Sequence, residues 1–179
     1  MRPVVLGFSG EIASGKSHIS SAMAQTLKAP RASFGDYVRL EAQRRGLTAS
    51  REILQDVGAQ LISEGWEKFC QSVISSTSWQ PSQNLVIDGV RHIEAISTIR
   101  SLIQPMVLFH IFVEVDDSIR EKRLLTKGII NKEQLAKLES HSTEVQVKTR
   151  LRSIADLIVD GSREEKDLVQ EICKRIKQL

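Results

Sequence analysis

The chain has 179 residues, 41% of them apolar and 26% charged, which fits one soluble domain with a real core and excludes a disordered polyelectrolyte. Its net charge of +3 suits anionic small molecules and is too weak to demand nucleic acid as a partner. Aromatic residues, at 4%, are too few for a base-stacking surface, and the apolar runs are far too short to cross a membrane.

In chain order, Pro3-Val4-Val5-Leu6-Gly7-Phe8 reads as a buried strand that stops at Ser9-Gly10. A helix is predicted over residues 16–27, ended by Ala29-Pro30. Residues 31–34 form a brief second strand, and a helix from Gly35-Asp36 runs to about Arg45, with Gly46 as its C-cap. Ser50 caps a further helical stretch towards Ser76, with a bend or break expected at Gly58 and Gly65. Residues 78–84 read as loop.

Leu85-Val86-Ile87-Asp88-Gly89 is a third strand that ends in a carboxylate, followed by a helix over residues 93–103. Pro105 precedes a fourth strand over 107–115, the longest β-branched and aromatic run. Residues 116–125 are helical and arginine-rich, and the polar stretch 126–142 has no clear period. A helix over 144–154, a fifth strand over 156–160 and a closing helix over 163–177 complete the pattern. Strands that alternate with helices predict an α/β fold: a five-stranded parallel sheet, helices on both faces in three layers, and one domain over 1–179.

Only two cysteines occur, Cys70 and Cys173, without CxxC or Cys/His ligand spacing, so no structural zinc is expected. A reduced, cytoplasmic compartment is the expectation, and Met1 leads into the first strand without the charged and apolar regions of a signal peptide.

The chemistry concentrates in Gly10-Glu11-Ile12-Ala13-Ser14-Gly15-Lys16-Ser17, which satisfies G-x-x-x-x-G-K-S directly after a strand and at the start of a helix. Glycines permit a tight turn whose backbone N–H groups converge on an anion, and the helix N-terminus adds partial positive charge. Lys16 is placed for the β- and γ-phosphates of ATP, and the Ser17 hydroxyl for Mg²⁺. Glu11, a carboxylate inside the loop, must point away from phosphate. Asp88 ends a strand on the same sheet edge and is read as a second Mg²⁺-facing group, against the alternative of a helix cap.

Gly7 to Ser17 resembles the opening of dephospho-coenzyme A kinases. Ser33-Phe34-Gly35-Asp36-Tyr37-Val38-Arg39 resembles the Gly-Asp-x-x-Arg element of adenylate kinase-like nucleoside monophosphate kinases, and Asp88-Gly89-Val90-Arg91 is similar to their Asp-Gly-x-x-Arg segment, one residue shorter. Arg51-Glu52-Ile53-Leu54-Gln55-Asp56-Val57-Gly58 is similar to a segment of phage-type deoxynucleoside monophosphate kinases. The resemblance implies a P-loop kinase with acceptor-binding helices over about 35–77 and a lid over about 120–142. It places Asp36, Arg39, Arg51, Gln55 and Arg91 at the acceptor, with Asp36 as base, helix cap or acceptor contact. Arg123, with Arg120 and Lys127, then falls at the lid, where Arg123 would act on the transferring phosphoryl group; a solvated helical face is the competing reading.

Trp66, Phe69 and Trp79 read as packing for the acceptor-side helices, His110 as a core residue, and His141-Ser142-Thr143-Glu144 as a capping box. Arg44 and Arg45 stay open between a solvated face and a ligand role. The sequence thus predicts an ATP- and Mg²⁺-dependent phosphotransferase acting on a nucleoside monophosphate or nucleotide-like small molecule. An ATP-binding or ATP-hydrolysing regulatory protein and a pure binding or assembly module are the rivals. A GTPase is disfavoured, because no Asn-Lys-x-Asp run occurs. Neither the acceptor nor the oligomeric state is legible.

Overall fold

A computed structural model of the chain describes residues 3–126 and 147–179. Strands β1 (Val5–Ser9), β2 (Arg31–Ser33), β3 (Leu85–Asp88), β4 (Leu108–Glu114) and β5 (Leu157–Asp160) form one sheet. The spatial order is β2-β3-β1-β4-β5 and every pairing is parallel. Around them lie helices α1 (Lys16–Leu27), α2 (Phe34–Arg44), α3 (Arg51–Ser63), α4 (Trp66–Ser75), α5 (Ile93–Leu102), α6 (Asp117–Thr126) and α7 (Glu165–Ile176), with a π-helical turn at Val147–Leu151.

Side chains alternate across a pleated strand, and here both faces are covered. Leu6, Phe8, Val86, Phe109, Ile111 and Val113 face one core, which α1 and α7 close with Ile19, Met23, Leu168, Ile172 and Ile176. Val5, Leu85, Ile87, Leu108 and Phe112 face the other, closed by residues of α2 to α5 that include Phe69, Val73, Ile96 and Ile99. The apolar runs of β1, β3 and β4 are therefore strands buried on two sides. β5 is different: Leu157 and Val159 are buried while Ile158 and Asp160 are exposed, as expected of an edge strand.

Two expected boundaries shift for local reasons. The stretch after Ser50 breaks at Gly65 alone, where φ is +114° and the backbone leaves the helix to start α4; Gly58 stays within α3. Ser50 does cap α3, accepting from the Ile53 N–H. α2 begins at Phe34, and its cap is Ser33, whose hydroxyl accepts from the Asp36 N–H at 3.2 Å. Asp36 is thus in the first turn of α2 and is not its cap, which leaves its carboxylate available for other partners. Of the predicted lid, Lys127 and residues up to 142 lie outside the described residues, as does the His141–Glu144 pattern.

His110 is a fully buried mid-strand residue of β4, as expected. Its Nε2 and the Ser9 hydroxyl are 2.6 Å apart, so it braces the last residue before the phosphate loop. The start of β5 is tied to the same residue: the His110 N–H donates to Asp156 Oδ2 at 2.7 Å, and the Asp156 N–H to the His110 carbonyl at 2.8 Å. Burial pushes the His110 pKa down from 6.5 to about 4, so the ring is neutral at pH 7.

In the unfolded chain this ring takes up a proton near pH 6.5, before the folded ring does. His110 therefore contributes stability that is full above pH 6.5, is lost as pH falls, and is gone by about pH 4. The loss amounts to about 3 kcal/mol, because each tenfold difference in proton affinity between folded and unfolded ring is worth about 1.36 kcal/mol. Urea midpoints at pH 7.5 and pH 4.5 should show this fall in the wild type and a markedly smaller one in His110→Gln; equal falls would exclude His110 as the source.

Candidate phosphoryl-transfer site

All five strands point their carboxyl ends to one sheet edge, and β1 runs from there into the loop Gly10–Ser17. The loop's shape depends on three positive φ values: +147° at Gly10, +65° at Ala13 and +98° at Gly15. Gly10 also approaches β4 so closely that a Cβ on it would lie 2.3 Å from the Val113 carbonyl oxygen. Ala13 adopts the left-handed conformation without being glycine, at a cost of about 1–2 kcal/mol. Its side chain and that of Ile12 pack on the buried Leu124 of α6.

Gly15 is the N-cap of α1, so the loop leads straight into a helix N-terminus. Lys16 is buried, with Nζ 3.4 Å from the Glu11 carbonyl oxygen across the loop. Ser17 is exposed, whereas the Ser14 hydroxyl is buried without a hydrogen-bond partner. A tight turn with three positive φ values, a helix start and a buried lysine held against the loop suit an anionic phosphate group.

Glu11 is met by an arginine of α6. Its carboxylate is buried, with Oε1 3.9 Å from Arg120 Nε, and Arg120 is itself buried and 3.3 Å from Asp117. Arg123 braces the same loop from its carbonyl side. Its Nη1 donates to the carbonyls of Ala13 at 3.1 Å and Ser14 at 3.2 Å, and its Nη2 to that of Gly161 at 3.0 Å. The predicted lid arginine is therefore engaged in holding the loop. Gly161, at the end of β5, closes the brace: a Cβ there would lie 2.1 Å from the Ser14 carbonyl oxygen.

Asp88 ends β3 opposite Phe8 of β1 and Ser33 of β2 and is only 3% exposed. Its Oδ2 accepts from Arg31 Nη2 at 2.5 Å, while its Oδ1 is buried without a hydrogen-bond partner. A buried carboxylate oxygen with an unused lone pair at this edge, with the Ser17 hydroxyl on the adjoining helix, is a donor set that suits Mg²⁺. That ion takes one or two protein oxygens and completes its octahedron with phosphate and water. Among the described residues no cluster of three or more His, Cys, Asp or Glu forms a self-sufficient metal site.

Arg31 continues from Asp88 to the first turn of α2. Its Nη1 donates to Asp36 Oδ2 at 3.4 Å and its Nε to the Ser20 hydroxyl of α1 at 3.1 Å. The other Asp36 oxygen accepts from Arg39 Nη1 at 2.6 Å. Of the predicted acceptor residues, Asp36 and Arg39 thus belong to one alternating chain of charges, Arg39–Asp36–Arg31–Asp88. Arg91 is half-buried in the turn after Gly89, which lies against the Gly35 backbone at the start of α2. Arg51 and Gln55 are exposed on α3 and, among the described residues, do not join the chain of charges. Arg44 and Arg45 pair with Glu41 on the outside of α2. Among α2, α4 and the turn before α5, Phe69 takes Phe34 edge-on at 5.2 Å and stacks with Trp66, whose ring is 5.0 Å from that of His92.

Sequence reasoning passed over Arg31 and Gly161 as contributors to the site. Arg31 opens a strand and belongs to no motif; Gly161 carried a weak signal, a glycine directly after a strand at the ligand-binding edge.

Both cysteines are unpaired, and burial pushes the Cys70 thiol up to about 12, which leaves it unreactive at neutral pH. No helix among the described residues is long and apolar enough to cross a membrane.

Comparison with known proteins agrees with this fold. A UPF0200 protein of Pyrobaculum aerophilum is 30% identical over 96 residues, covering 54% of this chain and 51% of that protein. The chain thus spans about half the length of that curated relative. The structure of the Mycobacterium tuberculosis APS kinase CysC, in complex with AMPPNP and APS, superposes with a TM-score of 0.66 at 15% identity, covering 98% of each chain. Shikimate kinase from Aquifex aeolicus superposes with a TM-score of 0.61 at 15% identity, over 98% of this chain and 97% of that one. At such identities the likeness speaks for the fold, a three-layer P-loop kinase fold. Residues 9–141 match the family described as AAA domain, and the chain belongs to that family, among the P-loop nucleotide kinase-like proteins.

Proposed function

We propose that this protein is an ATP- and Mg²⁺-dependent phosphotransferase whose acceptor is a nucleoside monophosphate or a similar nucleotide-like small molecule. One observation carries the reading. On the same sheet edge as the phosphate loop stands a second cationic element, Arg39 held by Asp36, connected through Arg31 to the Asp88 carboxylate. A protein that only binds or hydrolyses ATP needs the loop and Asp88; it has no use for an arginine anchored on the acceptor side.

On this reading the residues divide the work of bringing two polyanions together. Residues Gly10 to Ser17 hold the donor phosphates, with Lys16 on the β- and γ-phosphates. Ser17 and Asp88 would hold Mg²⁺, which supplies charge neutralisation between donor phosphates. Arg39 and Arg91 grip the acceptor's anionic group, and Arg51 and Gln55 contact the acceptor further out on α3. Both Asp36 oxygens accept from arginines, which supports reading it as a positioning residue for Arg39 and not as a base. Arg123 and Gly161 keep the loop in shape. One kinase-like domain over 1–179 accommodates all of these parts.

The test is ADP release from Mg²⁺-ATP in the presence of nucleoside monophosphates, deoxynucleotides, dephospho-coenzyme A, APS or shikimate. Acceptor-dependent release supports the proposal; release at one rate whatever is added would replace it with a regulatory NTPase.

Lys16→Ala should lower turnover about 10³-fold, as loss of a charge aimed at the transferring group does. Arg39→Ala should raise the acceptor's KM about 10-fold or more through loss of one charge-assisted hydrogen bond, with ATP affinity unchanged. A matching loss of ATP affinity in Arg39→Ala would remove Arg39 from the acceptor side.

Arg123→Gln and Gly161→Ala act on the loop from behind and should weaken ATP binding, read by calorimetry, about 10-fold each while leaving acceptor KM near its wild-type value. Unaltered ATP affinity in both would show that the brace does not shape the cradle.

A further inference from the structure

We infer that Arg31 is a positioning residue that holds the Asp88 carboxylate turned so that Oδ1 faces the metal position beside the phosphate loop. The inference rests on the metal-facing reading of Asp88 proposed above. Arg31 is the first residue of β2, and its guanidinium reaches three elements at once: Ser20 on α1, Asp88 at the end of β3 and Asp36 in the first turn of α2. A planar fork fixed at three points has one orientation, so the Asp88 oxygen it holds is fixed as well.

A carboxylate is planar, and clamping Oδ2 at 2.5 Å sets where Oδ1 points. Oδ1 is buried and makes no hydrogen bond, a condition that an unrestrained carboxylate would relieve by rotating toward a donor. The clamp keeps that oxygen in place for the cation. Arg31 thus stands to Asp88 as orienting partners stand to metal ligands generally, one step behind the coordinating atom. Its side chain is 24% exposed and that of Asp88 4%, so this pair is largely withdrawn from solvent screening.

A merely structural salt bridge would affect melting temperature and leave metal dependence alone; the measurement must therefore read the cation. Affinity for a fluorescent ATP analogue is measured with Mg²⁺ and with EDTA, and the ratio of the two dissociation constants gives the Mg²⁺ enhancement. Arg31→Gln should reduce this enhancement about 10-fold, the lower end of what losing a ligand-orienting partner costs. Arg31→Lys keeps the charge and the fold but not the fork, and should reduce it roughly 3-fold with little change in melting temperature. In an Asp88→Asn background, Arg31→Gln should have no further effect.

If the Gln variant does not fold, the Lys variant carries the test alone. Wild-type enhancement in the folded Arg31 variants, with enhancement lost in Asp88→Asn, overturns the role of Arg31 and spares that of Asp88. An increased enhancement also overturns it, since Arg31 would then be competing with the cation. Wild-type enhancement in Asp88→Asn removes the metal-facing reading itself, and the inference with it.

Discussion

The geometry of the site depends on how closely the phosphate loop is pressed between two strand ends. On one side Gly10 abuts the Val113 carbonyl of β4; on the other, the Ser14 carbonyl abuts Gly161 after β5. Neither glycine has room for a Cβ, so the loop is located by backbone against backbone, without a flexible side chain between. Arg123 then joins the Ala13, Ser14 and Gly161 carbonyls with one guanidinium. Three carbonyls fixed by one guanidinium, with the Ser14 N–H turned back onto the Glu11 carbonyl at 3.2 Å, leave the loop backbone little freedom. Even the left-handed Ala13, strained for a residue with a Cβ, is held by packing of the loop on Leu124.

Charge is arranged by the same principle of fixing one partner to direct another. Glu11 is an acid within the phosphate loop, and Arg120 of α6 supplies its counter-charge at 3.9 Å. Asp88 is too buried to stand alone as an anion, and Arg31 supplies its counter-charge through a single oxygen. From there the sign alternates through Asp36 to Arg39, ending at a guanidinium more than half exposed. The chain starts at the buried floor of the sheet edge and emerges where an acceptor would arrive.

The sequence made some of this legible and hid the rest, for physical reasons. The phosphate loop is encoded in eight consecutive residues between a strand and a helix, so local pattern sufficed. Asp88 was visible because an apolar strand ending in an acid marks the sheet edge. The two-sided burial of β1 followed from its unbroken apolar run, and five parallel strands from the alternation of elements. Arg31 was not visible, because its partners lie 5, 11 and 57 residues away and meet only when β2 pairs with β3. Arg123 was singled out as a cation, but helical spacing gives a residue's face without saying what that face meets; the loop carbonyls came from the packing of α6. The break falls at Gly65, where φ is +114°, and not at Gly58; both carry the same intrinsic penalty, so propensity alone could not choose between them.

The positions of the arginines bear on how the proposed transfer is organised. Arg120 and Arg123 on α6 turn toward the loop, one to its acid and one to its carbonyls, so their charge reaches the phosphates chiefly by shaping the cradle. The acceptor side is different: Arg39 ends an ion-pair chain with 59% of its side chain exposed, and a second anion can be met there without dismantling the loop. A phosphate arriving at Arg39 competes with Asp36 for that guanidinium, and Asp36 retains Arg31 as a partner when it does. Asp88 is held by a different nitrogen of Arg31 from the one that meets Asp36, so its contact does not depend on the Arg39–Asp36 pair. On the proposed reading this separates the two tasks: the donor site is built rigid from backbone contacts, and the acceptor site exchanges one ion pair for another.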